Sequence, residues 1–434
     1  MNQEKDRLDY LKEELAQKIE KHGSPLAAMQ REALADLDNW GIPTSRHEEW
    51  KYTRIGSLFN KTFDIHSGHA AAVSPTGNRL PGSAEANELF FVNGRFDPEQ
   101  STVKSKGLRV LTFMQAAENG YGDFMQKHYN HSGSYLRDGL SALNTAFAAD
   151  GILIDVADRA LVDLPLYIYN VTAGSGEPVL SQPRILVRVG KAAELQIVET
   201  YISEGETESL TNQVVELVVE EAANVSYYKL QNDGSQASLV STTHFRQIGK
   251  SVVNAVTISL NGAIVRNNLH AIMEAPHAEA HLWGLYFNKG NSHIDNHTLV
   301  DNVAPGCESN ELYKGILDDQ ATGVFNGKIF VRKDAQKTNA FQSNKNIILS
   351  ESASVNTKPQ LEIFADDVKC SHGCTIGSPD EEALFYLQSR GIPTSVAMAL
   401  LLEGFAQDIV GKIKLAPVRE YIAGLIAERL RSSI

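Results

Sequence analysis

Val214-Val215-Glu216-Leu217-Val218-Val219 sets five apolar β-branched or leucine residues around one carboxylate, and an apolar run of this kind can stack in the rungs of a solenoid. Similar short runs precede and follow it, with Gly, Asn and Asp between them. They are Ile152–Val156, Leu166–Val171, Ile185–Val189, Leu195–Thr200, Val225–Leu230, Ser251–Leu260, His281–Phe287, Ile329–Val331, Asn346–Leu349 and Gln360–Phe364. From Asp150-Gly151 onward about 220 residues read as strand with no obvious helix, which fits a sandwich, a barrel or a solenoid. Strand spacing is irregular and Asn-Gly hairpin dipeptides are scarce, so a β-solenoid (a β-helix) is the expected form, although no fixed period is visible. The fold class is therefore mainly β, with the core expected at 149–377.

The two ends differ from this core. Residues 1–148 read as a mostly helical domain: Leu8, Leu11, Leu15 and Ile19 recur at helical spacing, and a second helix is expected from near Pro25 to about Leu37. A loop rich in Gly, Ser, Pro and Ala spans 65–87, and short strands are expected at Leu89–Asn93 and Leu108–Thr112. Residues 378–434 turn helical again. Ser378-Pro379-Asp380-Glu381 resembles a capping box with Ser378 as the cap, opening a helix through Tyr386 to about Gln388. A second helix, from Thr394 or Ser395 to about Ile413, carries Met398, Leu401, Leu402, Phe405 and Ile409 on one side, and Pro417 marks the start of a third.

The chain has 434 residues, 42% hydrophobic and 21% charged, with a formal charge of −13. That charge argues against nucleic acid or an anionic membrane as the main partner. Three cysteines in a chain of this length make no disulfide framework, so reduced thiols are expected. The N-terminus lacks a basic region leading into an apolar one, and the longest apolar runs, such as Ala397-Met398-Ala399-Leu400-Leu401-Leu402, are too short to span a bilayer. A cytoplasmic protein is expected. No phosphate-binding loop and no dinucleotide fingerprint is present, so any nucleotide must be held by a partner.

Asp366-Asp367-Val368-Lys369-Cys370-Ser371-His372-Gly373-Cys374-Thr375-Ile376-Gly377 holds two of the three cysteines. On a strand, Cys370, His372 and Cys374 share one face with Val368 and Ile376, neighbours lying about 7 Å apart. Thiolate and imidazole at that spacing can hold iron or zinc if a further ligand arrives from elsewhere. The same pattern also suits small buried cysteines and a satisfied core histidine, and the apolar stripe implies core or a subunit interface. Other candidates are weaker. His277-Ala278-Glu279-Ala280-His281, followed by His293 and His297, puts two histidines and a carboxylate on one strand face, but Trp283 and Tyr286 nearby point to ordinary packing. Asp318-Asp319 and Asp366-Asp367 could serve a β-helix carbohydrate lyase or hydrolase. Adjacent carboxylates face opposite sides of a strand, however, and turn chemistry accounts for them. Cys307 falls in an expected turn.

Several blocks resemble the SufB/SufD family of iron–sulfur cluster assembly proteins. They are Tyr313-Lys314-Gly315-Ile316-Leu317, Val324-Phe325-Asn326-Gly327-Lys328-Ile329-Phe330-Val331, Ala335–Gln342, Asn356–Ile363, Asp366–Gly373 and Leu384–Ile392. Weaker matches lie at Glu48-Glu49-Trp50-Lys51-Tyr52-Thr53 and Leu143-Asn144-Thr145-Ala146-Phe147. The chain looks like the SufD branch: it is cysteine-poor, and Ser343 stands where SufB carries a functional cysteine. The resemblance implies a right-handed parallel β-helix between helical domains, pairing with SufB through the β-helix, and an ATPase, SufC, held by the C-terminal helices. Met398, Leu401, Leu402, Phe405 and Ile409 are then the expected partner contact. It further implies that Cys370 and His372 lie at the SufB contact and take part in holding a transient iron–sulfur cluster or iron shared with SufB. No cofactor is then expected to stay on the isolated chain, and Cys374 is either an added ligand or packing. The chain is expected to be a non-catalytic scaffold subunit, monomeric or homodimeric when isolated. A purely structural, partner-binding solenoid is the other reading of the same fold.

Overall fold

From Arg184 to Gly377 successive strands fall alternately into two sheets, so each circuit of the chain adds one strand to each sheet. In the computed structural model, which describes residues 2–65, 79–147, 151–174, 176–205 and 208–431, this gives a parallel β-solenoid of about eight turns with helical ends. The expected fold class is borne out. Asn224–Asn232 pairs in parallel with Val252–Asn261, that strand with Glu279–Asn288, and so on through Glu308–Leu317 and Asn339–Ile348 to Lys369–Gly377. The other sheet ends on Ser354–Ile363. The sheets begin ahead of the expected core: Asn87–Val92 pairs in parallel with Leu166–Ala173, and Leu108–Thr112 pairs antiparallel with Ile152–Val156. The boundary expected between 148 and 149, like most of the loop expected at 65–87, lies outside the described residues.

The missing period has a simple cause. Asn224 pairs with Val252, 28 residues on, whereas Glu308 pairs with Asn339, 31 residues on. Strands stay in register while the corners absorb the difference in length. These corners also explain why hairpin dipeptides are scarce. Arg159, Ala192, Ala222, His277, Gly306 and Lys337 each adopt positive φ. Their amides donate to carbonyls in the next rung: Ala192 to Glu221, Ala222 to Lys250, His277 to Pro305, Gly306 to Gln336 and Lys337 to Asp367. A left-handed residue costs a non-glycine about 1 kcal/mol, and the rung-to-rung hydrogen bond offsets it.

Inside the solenoid, Ile154, Val187, Val215, Leu217, Ile197, Val225 and Phe245 form one apolar core. The outer faces of both sheets are covered as well. Leu140, Leu143 and Ala146 of the helix Gly139–Phe147 pack on Leu180, Leu210 and Val240 of one sheet. On the other, Tyr228, Val256, Ile258, Leu285, Phe287 and Ile316 receive the helices Thr394–Val410 and Ala416–Arg431. Coverage on both faces makes the strand Ser209–Val219 buried along its whole length.

Glu48 to Thr53, noted above only as a family match, forms a clasp over four successive strands of one sheet. Trp50 stacks on Arg266 at 3.8 Å, and Thr53 donates to Asp295. Glu49 pairs with His297 at 3.4 Å and Lys328 at 3.6 Å, while Glu48 pairs with Lys358. The N-terminal helices are thereby tied to the last rungs.

The C-terminal helices correct two expectations. The helix Glu381–Ser389 is capped by Asp380, whose carboxylate accepts from the Ala383 amide, and not by Ser378, because the chain stays extended through Gly377 and the helix starts only at Glu381. The apolar side of the helix Thr394–Val410 faces inward. Leu402 and Ile409 are fully buried against the chain's own solenoid, with Met398 and Phe405 packed beside them and Leu401 half-buried. Lys314 secures this contact, donating to the Phe405 carbonyl at 3.0 Å and pairing with Asp408. A residue buried in this way cannot meet a partner, so Leu402 and Ile409 serve the chain's own packing. The helices leave exposed Phe385, Tyr386, Val396 and Leu400 instead.

Two predictions follow from this packing. Leu402→Ala should cost about 2–5 kcal/mol by leaving a cavity between helix and sheet, read as a lower denaturation midpoint. The hydrogen bond with His297 holds the Glu49 carboxyl down to about 2, below its value in the unfolded chain. Its contribution is therefore complete above pH 4.5 and fades as pH falls towards 2. In Glu49→Gln the acid limb of the stability curve should flatten over that window, checked by thermal melts across pH.

Candidate functional site

The strand Lys369–Gly377 ends its sheet: one edge pairs with Asn339–Ile348, and among the described residues no strand pairs with the other. Register fixes which way its side chains lie. Cys370, His372, Cys374 and Ile376 stand beside Ala340, Gln342, Asn344 and Asn346, all four of which are buried while Phe341 between them is exposed. The candidate ligands thus continue the interior row of the solenoid, as the alternation implied, but on its last rung.

That rung is uncovered. Cys370 is half-buried against the core, and burial pushes its thiol pKa up. His372 and Cys374 are exposed, and Ile376, Ile363 and Phe364 present apolar surface at the same end. The His372 side chain is exposed and makes no hydrogen bond to a described residue, which removes the satisfied-core-histidine reading. Among the described residues no three His, Cys, Asp or Glu side chains converge as a metal site. Spaced along an extended strand, Cys370, His372 and Cys374 can supply part of a ligand set, to be completed from outside this rung.

Beneath His372 the interior turns polar. Gln342 donates from Nε2 to Glu311 Oε2 at 2.8 Å, and burial pushes the Glu311 carboxyl up to about 7. Asn344 donates to Tyr286 Oη at 3.1 Å, and Asn346 donates to Asn344 Oδ1 at 2.7 Å. The Gln342 Oε1 is buried without a partner. Sequence reasoning missed this column, because a lone Gln or Glu in a strand carries no signal until register places it under the histidine.

The other candidates go elsewhere. His277 sits in a corner turn and not on the strand with Glu279 and His281, which begins only at Glu279. His281 stacks beside Trp283 and meets Asn310 at 3.3 Å. His293 bonds Thr53 at 2.8 Å and His297 serves the clasp. Asp318-Asp319 and Asp366-Asp367 occupy turns, as expected, with Asp367 paired to Lys337. Cys307 is fully buried and donates to the Ala304 and Ala275 carbonyls. A row unseen in the sequence, His131–His244–His270, joins ring nitrogens at 2.8 and 3.3 Å where the N-terminal domain meets the sheet. Burial holds His244 well below its usual pKa and His270 at about 3, so both stay neutral and structural.

Two family models together cover most of the chain. Residues 170–405 match the family model for the SUF system FeS cluster assembly SufBD core domain, and residues 1–168 match that for the SufBD protein N-terminal region. An iron–sulfur cluster assembly SufBD family protein of Synechocystis sp. is 31% identical, covering 90% of this chain and 88% of its own. The iron–sulfur cluster assembly protein SufD of Escherichia coli is 28% identical over 95% of each chain, and that of Bacillus subtilis is 24% identical over 76% and 75%. The chain belongs to the SufB/SufD family of the SUF iron–sulfur cluster assembly system.

Proposed function

We propose that this chain is a non-catalytic, cytoplasmic scaffold subunit of SUF cluster assembly, and that a SufB solenoid stacks on its open end. The observation that carries this reading is the last rung: a free strand edge, bordered by Ile363, Phe364 and Ile376, with ligand-capable side chains on its interior row. Strand addition satisfies the unpaired backbone groups and covers the apolar border at once. Cys370 and His372 then lie at the seam, where a soft thiolate and an imidazole suit iron on its way into a cluster. Thiol and imidazole from one partner need only be completed by ligands from the other, so the iron or cluster is cargo shared across the seam and leaves with the product. Cys374 sits one step further along the same row and is the less supported ligand.

The C-terminal helices are the proposed seat of the SufC ATPase. Since Leu402 and Ile409 are taken up by the solenoid, the contact falls to the exposed Phe385, Tyr386, Val396 and Leu400. Lys314, a residue of the sheet whose side chain is bonded to the helix, offers a route by which movement of the helices reaches the rungs that carry Gln342 and His372. Without SufB, the same edge suits a second copy of this chain.

Two measurements check the reading. His372→Ala should keep co-purification with SufB and SufC but lose most of the visible iron–sulfur absorption on anaerobic reconstitution; full absorption in the variant returns His372 to packing. Iodoacetamide should label Cys374 readily and Cys307 not at all in the isolated chain, and SufB should slow labelling of Cys374. Unslowed labelling in a formed complex places the partner elsewhere.

A further inference from the structure

Resting on the reading of His372 as an iron ligand, we propose that Gln342 is its positioning residue. With the His372 ring turned toward the rung below, the side-chain oxygen of Gln342 would accept the N–H of one ring nitrogen, a bond that the structure does not hold, and leave the other nitrogen to face the iron. Glu311, Gln342 and His372 occupy one register column on three successive strands of the sheet. A single rung step in this column is already bridged by a side-chain hydrogen bond, Gln342 Nε2 to Glu311 Oε2 at 2.8 Å. Elsewhere in the interior Asn267 and Asn296 bridge the same step at 3.1 Å. His372 stands the same one step beyond Gln342.

The chemistry of the amide sets its direction. Glu311 Oε2 accepts from the Nε2 end whether or not the carboxyl's other oxygen carries a proton, so the amide oxygen is the end left over. That oxygen is buried and unpartnered, on a residue only 3% exposed, and a buried acceptor left so is costly. Gly327 makes the seat, since an added Cβ there would overlap the Gln342 amide and the Phe325 ring. A metal-bound histidine almost always donates its second ring N–H to an oxygen acceptor, which fixes both tautomer and ring plane. Gln342 Oε1 supplies that acceptor from the rung below.

The test uses the full-length chain with ¹⁵N-labelled histidine, the His372 resonances being assigned by their loss in His372→Ala. Wild type should show one dominant ring tautomer at His372. Gln342→Met, which keeps volume and removes the acceptor, should shift the ratio to that of a freely solvated histidine, while Gln342→Glu, which keeps an acceptor oxygen, should hold the wild-type ratio. Should Gln342→Met not fold, Gly327→Ala displaces the same amide and is read in the same way. A wild-type ratio already equal to that of free histidine, or one unmoved in the folded variants, overturns the inference. Neither result bears on His372 as a ligand, which stands or falls separately on the reconstitution of His372→Ala.

Discussion

Everything in this molecule hangs on the hydrogen bonding of one rung to the next. In a parallel solenoid each strand satisfies its backbone from the strands on either side, and the corner residues with positive φ extend the same ladder through the turns. The ladder runs out at the end strands of the two sheets, Lys369–Gly377 among them. Among the described residues the strand Lys369–Gly377 has a neighbour on one side only, and a bare edge of this kind is a template for another strand. The site is therefore a consequence of the fold ending, and the residues that carry its chemistry sit on the rung that the chain itself leaves uncovered.

The flanking domains make that end usable. The clasp from Glu48 to Thr53 grips Arg266, Asp295, Lys328 and Lys358 on four successive strands and holds the terminal rungs in line. On the opposite sheet, Lys314 and the buried row through Leu402 and Ile409 bind the C-terminal helices to the rungs just before the last. A partner acting on either end of the helices would act on a body already continuous with the open edge.

Much of this was legible in the sequence, and the gaps have physical causes. The change of texture at Asp150 and the shared face of Cys370, His372 and Cys374 follow directly from composition and the two-residue period of a strand. The strands Ala237–Gln247, Ile264–Met273, His293–Asn302 and Glu308–Leu317 were missed as β runs. Their interior positions hold residues such as Ser241, Asn267 and Asn296, which pair across rungs and so read as polar loop in a linear chain. Their outer positions, such as Arg266, Asp295 and Lys314, are charged because they meet a flanking domain and not water. The helix Thr394–Val410 was placed correctly but its apolar side was assigned to a partner. Periodicity shows that a face is buried without saying against what. Gln342 and Glu311 became visible only when register set them under His372.

The central claim is that the free edge of Lys369–Gly377 is where the partner pairs. Amide hydrogen exchange across this strand, in the monomeric chain and in its complex with SufB, tests it most directly. The account predicts that the amides directed at Asn339–Ile348 are protected in both states, whereas the alternate amides exchange freely alone and become protected in the complex. Outward amides that keep exchanging freely in a formed complex would contradict it.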